Sequence, residues 1–294
     1  MNVSVRDAMV PLRAGESFFA ALRNLGLDAV ELDVHRDGTL PRVVENGAAP
    51  FSIGSADDTA PLDALQKRLA EENVRVSALL MATDFSAPDA DRHVEWAIHT
   101  TRAAQQLGAP AVRIDTATRQ SELSVAQVRD NFVRRIRQVL EATADTGVAL
   151  GIENHGRISN DPQFLEEVFA AVGDERLGMT LDTGNFYWYG WPLDELYGIL
   201  ERFAPRARHT HVKNINYPPE LANQQREIGY EYGKYSSPLD EGNIDIRRVV
   251  QILRDAGYND DLCIENEALG KYPEEERPEI IRRDAQTLRA AIGS

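Results

Sequence analysis

Short apolar runs alternate with longer amphipathic segments along most of the chain. Strand-like runs in the first half are AVELDV (29–34), RVSALLMA (75–82), AVRIDT (111–116) and VALGIE (148–153). The segments between them carry apolar residues three to four positions apart, as an amphipathic helix does. Each ends near a glycine, which easily adopts the left-handed conformation at a helix end. This alternation is typical of parallel α/β folds.

The same order continues to the end of the chain. Further strands are predicted at LGMTLD (177–182), ARHTHV (207–212) and LCIENE (262–267), and helices at 162–172, 192–203, 244–256 and 278–291. With a first strand within residues 2–10, this makes about eight strand-helix units and predicts a closed (β/α)₈ TIM barrel. An open doubly wound sheet is the alternative, but no glycine-rich phosphate loop follows any strand. We find no linker-like tract, so we expect a single domain over residues 1–294.

Two connections are too long to be simple turns. Residues 36–60 are rich in Gly, Ala, Asp and Pro, and residues 214–242 are rich in tyrosine. Both follow predicted strands, so both belong on the face of a barrel where the strands end at their carboxyl termini. Loops of this length in a compact domain are usually functional lids or contact surfaces. A contact between copies in a homo-oligomer is an equally good interpretation.

Charge and cysteine content narrow the classes of partner. The formal net charge is −15, which opposes binding to nucleic acid and to anionic membranes. Cys263 is the only cysteine, so no internal disulfide forms and a reducing compartment is expected. The first residues lack a basic segment followed by an apolar one. We therefore expect a cytoplasmic enzyme acting on a small molecule.

Four residues at or near the carboxyl ends of successive strands have the chemistry of metal ligands: Glu153, Asp182, His211 and Glu265. The first two steps between them are 29 residues each, about one strand-helix unit, and the third is 54 because it includes the long 214–242 connection. Parallel strands bring such side chains to one side of a sheet. Three carboxylates and one imidazole suit one divalent ion, with Mn²⁺ favoured over Mg²⁺, Co²⁺ or Zn²⁺. The alternative is plain ion pairing with Arg113, Arg157 and Lys213.

The segments GIENHG, LDTGN, HTHVKN and IENE, in this order and spacing, resemble the xylose isomerase-like TIM-barrel superfamily, the sugar phosphate isomerase/epimerase group. PLDEGNIDI (238–246) resembles a further segment of that group. The resemblance implies that Glu153, Asp182, His211 and Glu265 hold the metal. It also implies that Glu153 and Glu265 move the proton in an isomerisation or epimerisation through an enediolate. The implied substrate is a sugar or polyol ketone.

Two positions depart from the ketose 3-epimerase pattern. Asn185 stands where those relatives have a histidine, and Tyr217 where they have an arginine. Both positions touch substrate in the relatives. A lyase or dehydratase on the same scaffold, including one that cleaves 3-keto-glycosides, is therefore a close alternative. DNA repair of the endonuclease IV type is a remote one, because it needs a basic face.

The remaining candidates are substrate-binding residues near the strand ends. His155 shares a strand face with Glu153 and is expected to bind substrate or exchange protons. Lys213 is expected to hold a substrate oxygen or to steady a carboxylate. Arg113 could bind an anionic group, and His35 could reach a sugar hydroxyl. Asn185 is included because of the resemblance alone.

Overall fold

Eight parallel strands form a closed barrel in the computed structural model, which describes residues 1–45, 47–55, 57–117 and 122–293. The barrel strands are β1 (Asn2–Arg6), β2 (Ala29–Asp33), β3 (Arg75–Leu80), β4 (Ala111–Ile114), β5 (Ala149–Glu153), β6 (Leu177–Asp182), β7 (Ala207–Val212) and β10 (Asp261–Ile264). β1 pairs with β2 on one side and with β10 on the other, which closes the ring. The predicted (β/α)₈ barrel is confirmed.

Helices connect the strands around the outside of the barrel. They are α1 (Phe18–Asn24), α2 (Ala60–Glu72), α3 (Ala90–Leu107), α4 (Val125–Ala142), α5 (Pro162–Val172), α7 (Leu193–Phe203), α10 (Ile246–Asp255) and α11 (Arg277–Ile292), with the short α6 (Asn185–Tyr189) inserted after β6. In α4, Phe132, Ile136 and Val139 are fully buried and share one face of the helix. Burial of such a stripe is what fixes each helix against the sheet.

The apolar runs predicted the strands well but placed several strand ends too late. The run ending at Glu267 forms a strand only as far as Ile264, and the first strand ends at Arg6. Beyond these points the backbone leaves the barrel to form the loops of the catalytic face. Glu265 therefore lies one residue past its strand rather than within it.

The 214–242 connection has secondary structure of its own. It contains β8 (Asn214–Ile215), α8 (Pro219–Ala222), α9 (Tyr232–Tyr235) and β9 (Ser236–Ser237), and β8 pairs with β9 in an antiparallel ribbon. Arg226 is buried in this segment, where its guanidinium lies 4.4 Å from the Tyr187 ring centroid and 4.3 Å from that of Tyr217. The segment is thus packed against α6.

Within the described residues, no helix is both long enough and apolar enough to cross a membrane. The expected cytoplasmic location and the single domain over residues 1–294 stay predictions.

Candidate metal centre

The four residues selected by their spacing converge at the mouth of the barrel. Glu153 and Asp182 end β5 and β6, His211 lies in β7, and Glu265 directly follows β10. One oxygen or nitrogen atom from each lies within 4.8 Å of those of the other three, and all four residues are buried. The structure therefore brings together the residues that the sequence proposed as ligands, while their binding of a metal stays a prediction.

Asp182 presents one oxygen to the protein and the other to the centre of the cluster. Its Oδ1 accepts hydrogen bonds from the backbone N–H groups of Gly184 (2.8 Å) and Asn185 (2.7 Å) at the start of α6. Its Oδ2 lies 3.0 Å from Lys213 Nζ, but among the described residues it has no hydrogen-bond partner. Burial raises the pKa of Asp182 to about 7, against the lowering effect of Lys213. Lys213 therefore compensates the buried charge of this carboxylate only in part.

His211 points one ring nitrogen at the cluster and the other at a buried glutamate. Its Nδ1 lies 3.5 Å from Glu153 Oε1 and 3.5 Å from Glu265 Oε2, without a hydrogen-bond partner in the described part of the chain. Its Nε2 lies 2.8 Å from Glu31 Oε2. Burial opposes protonation, but Glu31, Glu265 and Glu153 together raise the pKa of His211 well above its ordinary value.

An arginine holds each of the two glutamates. Arg113 contacts Glu153 Oε2, and Arg6 Nη1 donates to Glu265 Oε1 over 2.6 Å. The remaining oxygen of each carboxylate is the one that faces His211. Although burial alone would raise the pKa of Glu153, Arg113 and His211 lower it well below its usual range. The charges of Lys213 and His211 similarly lower the pKa of Glu265 to about 2 against the effect of burial.

Lys213 connects the cluster to the wall of the barrel mouth. Its Nζ donates to Glu265 Oε2 (2.8 Å) and to Glu267 Oε2 (3.2 Å), besides lying beside Asp182. The hydroxyl of Tyr232, from the 214–242 connection, donates to the same Glu267 oxygen. This position fits the expected role of steadying a carboxylate, because the buried ammonium group contacts three of them, while contact with a substrate oxygen stays a prediction.

His155 forms a pair with Asp115 beside Glu153. Its Nδ1 lies 2.9 Å from Asp115 Oδ1, and its side chain is 49% exposed. The hydrogen bond to Asp115 is the main cause that raises the pKa of His155. Arg113 contacts Asp115 as well as Glu153, so this pair belongs to the same charged network. The side chain of His155 thus combines a fixed Nδ1 with partial exposure to solvent.

The other predicted substrate contacts are Asn185, Arg113 and His35. Asn185 is close, since its Nδ2 donates to Glu153 Oε1 over 2.9 Å. Arg113 is 5% exposed and engaged by Glu153, Asp115 and the Met81 carbonyl oxygen. That favours the ion-pair alternative over direct binding of an anion. His35 is exposed just after β2 and lines a cavity of about 590 Å³ together with Asp33 and Trp96.

Tyr217 lies inside the 214–242 segment rather than at the cluster. It is fully buried, and its hydroxyl donates to the backbone oxygen of Tyr230 over 3.1 Å. The departure from the epimerase pattern at this position therefore supplies packing within the segment and no side chain at the mouth.

Sequence reasoning missed three charged residues that complete the network, namely Arg6, Glu31 and Asp115. Asp115 could have been found, because it has the same parity as Arg113 in the run AVRIDT. Glu31 and Arg6 gave no local signal, since Glu31 contacts His211 across 180 residues of sequence. Only closure of the barrel brings them to the cluster.

The donor set fits a divalent cation. His211 Nδ1 and Asp182 Oδ2 are buried polar atoms left without hydrogen-bond partners in the described part of the chain, and such atoms are costly unless a ligand or ion satisfies them. Carboxylate oxygens and an imidazole nitrogen suit Mn²⁺, Mg²⁺, Co²⁺ and Zn²⁺ in different degrees. Glu153, Asp182, His211 and Glu265 would hold the ion.

Comparison with known proteins identifies the family. A family model described as xylose isomerase-like TIM barrel matches residues 19–291. The chain therefore belongs to the xylose isomerase-like TIM barrel family, as the motifs around Glu153, Asp182, His211 and Glu265 implied.

Individual relatives are more distant. An inosose dehydratase of Klebsiella pneumoniae is 27% identical over 129 residues, which cover 42% of this chain and 42% of the relative. The match thus spans less than half of that enzyme. A crystal structure of IOLI protein with a binding zinc atom superposes with a TM-score of 0.71 at 16% identity over 100% of both chains. An L-ribulose 3-epimerase gives a TM-score of 0.68 at 18% identity, covering 100% of this chain and 94% of the other. At these identities the structural likeness shows the fold alone.

Proposed function

We propose that this protein is a divalent-metal-dependent isomerase or epimerase of a sugar or polyol ketone. The observation that carries the proposal is the buried cluster of Glu153, Asp182, His211 and Glu265, in which His211 Nδ1 has no hydrogen-bond partner among the described residues. A divalent ion bound there would polarise the oxygens next to the reacting carbon and stabilise negative charge on them.

The two glutamates are placed to move the proton. A hydrogen next to a carbonyl is weakly acidic, and a positioned carboxylate removes it as a general base. Arg113 and Arg6 hold one oxygen of Glu153 and of Glu265, respectively, so the other oxygen of each carboxylate lies towards His211. If one glutamate takes the proton and the other returns it to the opposite face, the product is an epimer. Return to the neighbouring carbon gives the aldose-ketose isomer.

A dehydratase is the second candidate, and the pair formed by His155 and Asp115 favours it. Elimination requires an acid that protonates the departing hydroxyl group. Asp115 engages His155 Nδ1 and leaves Nε2 of this half-exposed side chain available as the acid, and the three groups of Asp115, Glu153 and His155 lie within 4.8 Å of one another. The name of the Klebsiella pneumoniae relative, inosose dehydratase, supports the same alternative.

Deuterium exchange separates the two candidates. The Mn²⁺-loaded protein would be incubated in D₂O with ketohexoses, inososes and 3-keto-glycosides, and the products followed by NMR. Deuterium on the carbon next to the carbonyl, with an intact carbon-oxygen framework, is the expected result. Loss of water or of an aglycone would instead assign the dehydratase or lyase.

Metal analysis tests what both candidates share. We expect one Mn²⁺, Mg²⁺, Co²⁺ or Zn²⁺ ion per chain after loading and dialysis, and loss of that ion in Asp182→Asn. Asp161→Asn is the matched control, because Asp161 caps α5 on the outside of the barrel. A wild-type protein that retains no divalent ion would refute the metal centre and both reactions with it.

A further inference from the structure

Glu31 is a fully buried carboxylate that sits beneath the proposed metal centre, on the second strand of the barrel. Its Oε2 lies 2.8 Å from His211 Nε2, and its Oε1 lies 3.1 Å from His209 Nε2. All three side chains are no more than 2% exposed. One carboxylate therefore contacts two histidines of β7, and one of these is a predicted metal ligand.

The strands that carry this contact depart from regular pairing at the same level. The register between β2 and β3 shifts between Val30 and Glu31. The register between β6 and β7 shifts between Met179 and Thr180, and Thr180 is the partner of His209. Irregularities of this kind re-aim a side chain and are frequent next to functional sites. Both lie where Glu31 and His209 enter the barrel interior.

The chemistry of the contact dictates which nitrogen of His211 carries hydrogen. A carboxylate accepts hydrogen bonds, so the ring nitrogen 2.8 Å from Glu31 must be the donor. A neutral imidazole with hydrogen on Nε2 has its lone pair on Nδ1. Nδ1 is the atom that faces Glu153 and Glu265. Glu31 therefore selects the form of His211 that is able to ligate.

We infer that Glu31 is a positioning residue, which fixes the tautomer and ring orientation of His211 for metal binding. The inference rests on the proposed metal centre. It adds a residue from a different strand, which none of the motifs around the four ligands contains. Partners of this kind change metal affinity by about 10- to 100-fold when they are replaced.

Metal titration of variants tests the inference without relying on turnover. We expect calorimetry with Mn²⁺ to show affinity about 10- to 100-fold weaker for Glu31→Gln than for the wild type. The matched control is Cys263→Ser, because the buried Cys263 Sγ lies 4.0 Å from the same Glu31 oxygen and beside His211 on the neighbouring strand, but makes no hydrogen bond to His211 among the described residues. Its affinity should stay within about twofold of wild type if the effect comes from the Glu31–His211 hydrogen bond. Glu31→Asp, which keeps the carboxylate, should lie between Glu31→Gln and wild type.

A second measurement uses the wild type and so does not depend on variants that fold. In Zn²⁺-loaded protein labelled with ¹⁵N-histidine, the His211 ring should be protonated at Nε2 and unprotonated at Nδ1. An unprotonated Nε2 would overturn the inference, as would equal Mn²⁺ affinities for wild type and Glu31→Gln. Two ions per chain, with a cobalt-thiolate absorption band that disappears in Cys263→Ser, would also overturn it and make Glu31, His209 and Cys263 a second metal site. Failure of the wild type to bind any ion would instead refute the proposed function itself.

Discussion

Each of the three carboxylates proposed as ligands at the barrel mouth is held by nitrogen donors of the protein. Arg113 holds Glu153, Arg6 holds Glu265, and backbone N–H groups hold one oxygen of Asp182. The acids were predictable from the sequence because each ends an apolar run. Arg113 and Lys213 were predictable as partners, but Arg6 was not, since Arg6 and Glu265 are 259 residues apart and meet only when the barrel closes. The sequence therefore predicts the acids of such a buried charge network, but not the partners that only the closed barrel brings to them.

Arg113 is the member of this network whose loss should cost the most stability. Arg113→Met would leave Glu153 and Asp115 buried without their shared counter-charge, at a cost of about 3–5 kcal/mol. Urea unfolding with EDTA present measures the change. Arg129→Met is the control, because its pairs with Glu167 and Asp130 are solvent-exposed and worth at most about 1 kcal/mol. Equal losses in the two variants would contradict this account.

Asp7 should make stability depend on pH. Burial raises the pKa of Asp7 to about 7, and its Oδ1 has no hydrogen-bond partner among the described residues. The folded protein thus keeps a proton that the unfolded chain releases near pH 4, as a free aspartate does. A rise in pH therefore stabilises the unfolded state relative to the folded state. The contribution of the Asp7 proton to the free energy of unfolding is full below about pH 4 and is lost as pH rises to about 7.

Replacing Asp7 by asparagine should remove that dependence, because the amide does not ionise. Between pH 5 and pH 7.5 the wild type should lose on the order of 2–3 kcal/mol more than Asp7→Asn. Urea unfolding at both pH values, in EDTA, gives the comparison. Asp130→Asn, an exposed site, should follow the wild type. Parallel pH profiles for wild type and Asp7→Asn would show that Asp7 ionises normally.

At the scale of elements, periodicity predicted every barrel strand and the long helices but none of the short pieces. α6 spans Asn185–Tyr189, and β8 and β9 have two residues each. Such elements are too short to show a period, and their stability comes from tertiary contacts instead. The long tyrosine-rich connection was identifiable by its length and position after a strand, whereas its internal elements and the buried Arg226 at their centre were not.

Arg226 should hold this connection in place. Its Nη atoms donate to backbone oxygens within the connection, such as Leu221 at 2.6 Å, and to those of Tyr187 (3.1 Å) and Trp191 (2.8 Å) beside it. Hydrogen bonds from a charged group are worth about 1.5–3 kcal/mol each. Arg226→Gln should therefore lower the local opening free energy by about 2 kcal/mol or more, roughly 30-fold in exchange rate.

Hydrogen exchange measured by mass spectrometry checks this prediction on peptides covering residues 214–237. Arg247→Gln serves as the control, because Arg247 is exposed on α10. Exchange in β5 and β6 should not change in either variant. Unchanged protection of residues 214–237 in Arg226→Gln would mean that the aromatic packing alone holds the connection.

At the scale of the molecule, the proposed ion would connect one half of the barrel. Its four ligands come from β5, β6, β7 and the residue after β10, and β10 is the strand that closes the ring against β1. An ion held there binds the folded state and not the unfolded chain, since the ligands are far apart in sequence. The net charge of −15 should increase the stabilising effect of a bound cation, because concentrated negative charge destabilises the compact state.

Saturation with metal should therefore stabilise the whole barrel. At a free Mn²⁺ concentration 100 times the dissociation constant, linkage gives about 2.7 kcal/mol, which corresponds to a rise in Tm of roughly 5 °C for a chain of this size. Differential scanning calorimetry with Mn²⁺ and then with excess EDTA measures the shift and its reversal. Asp182→Asn should show little or no shift, because the amide Nδ2 cannot ligate while Oδ1 still caps α6. A similar rise in Asp182→Asn would mean that Mn²⁺ screens the acidic surface and does not bind between the four strands.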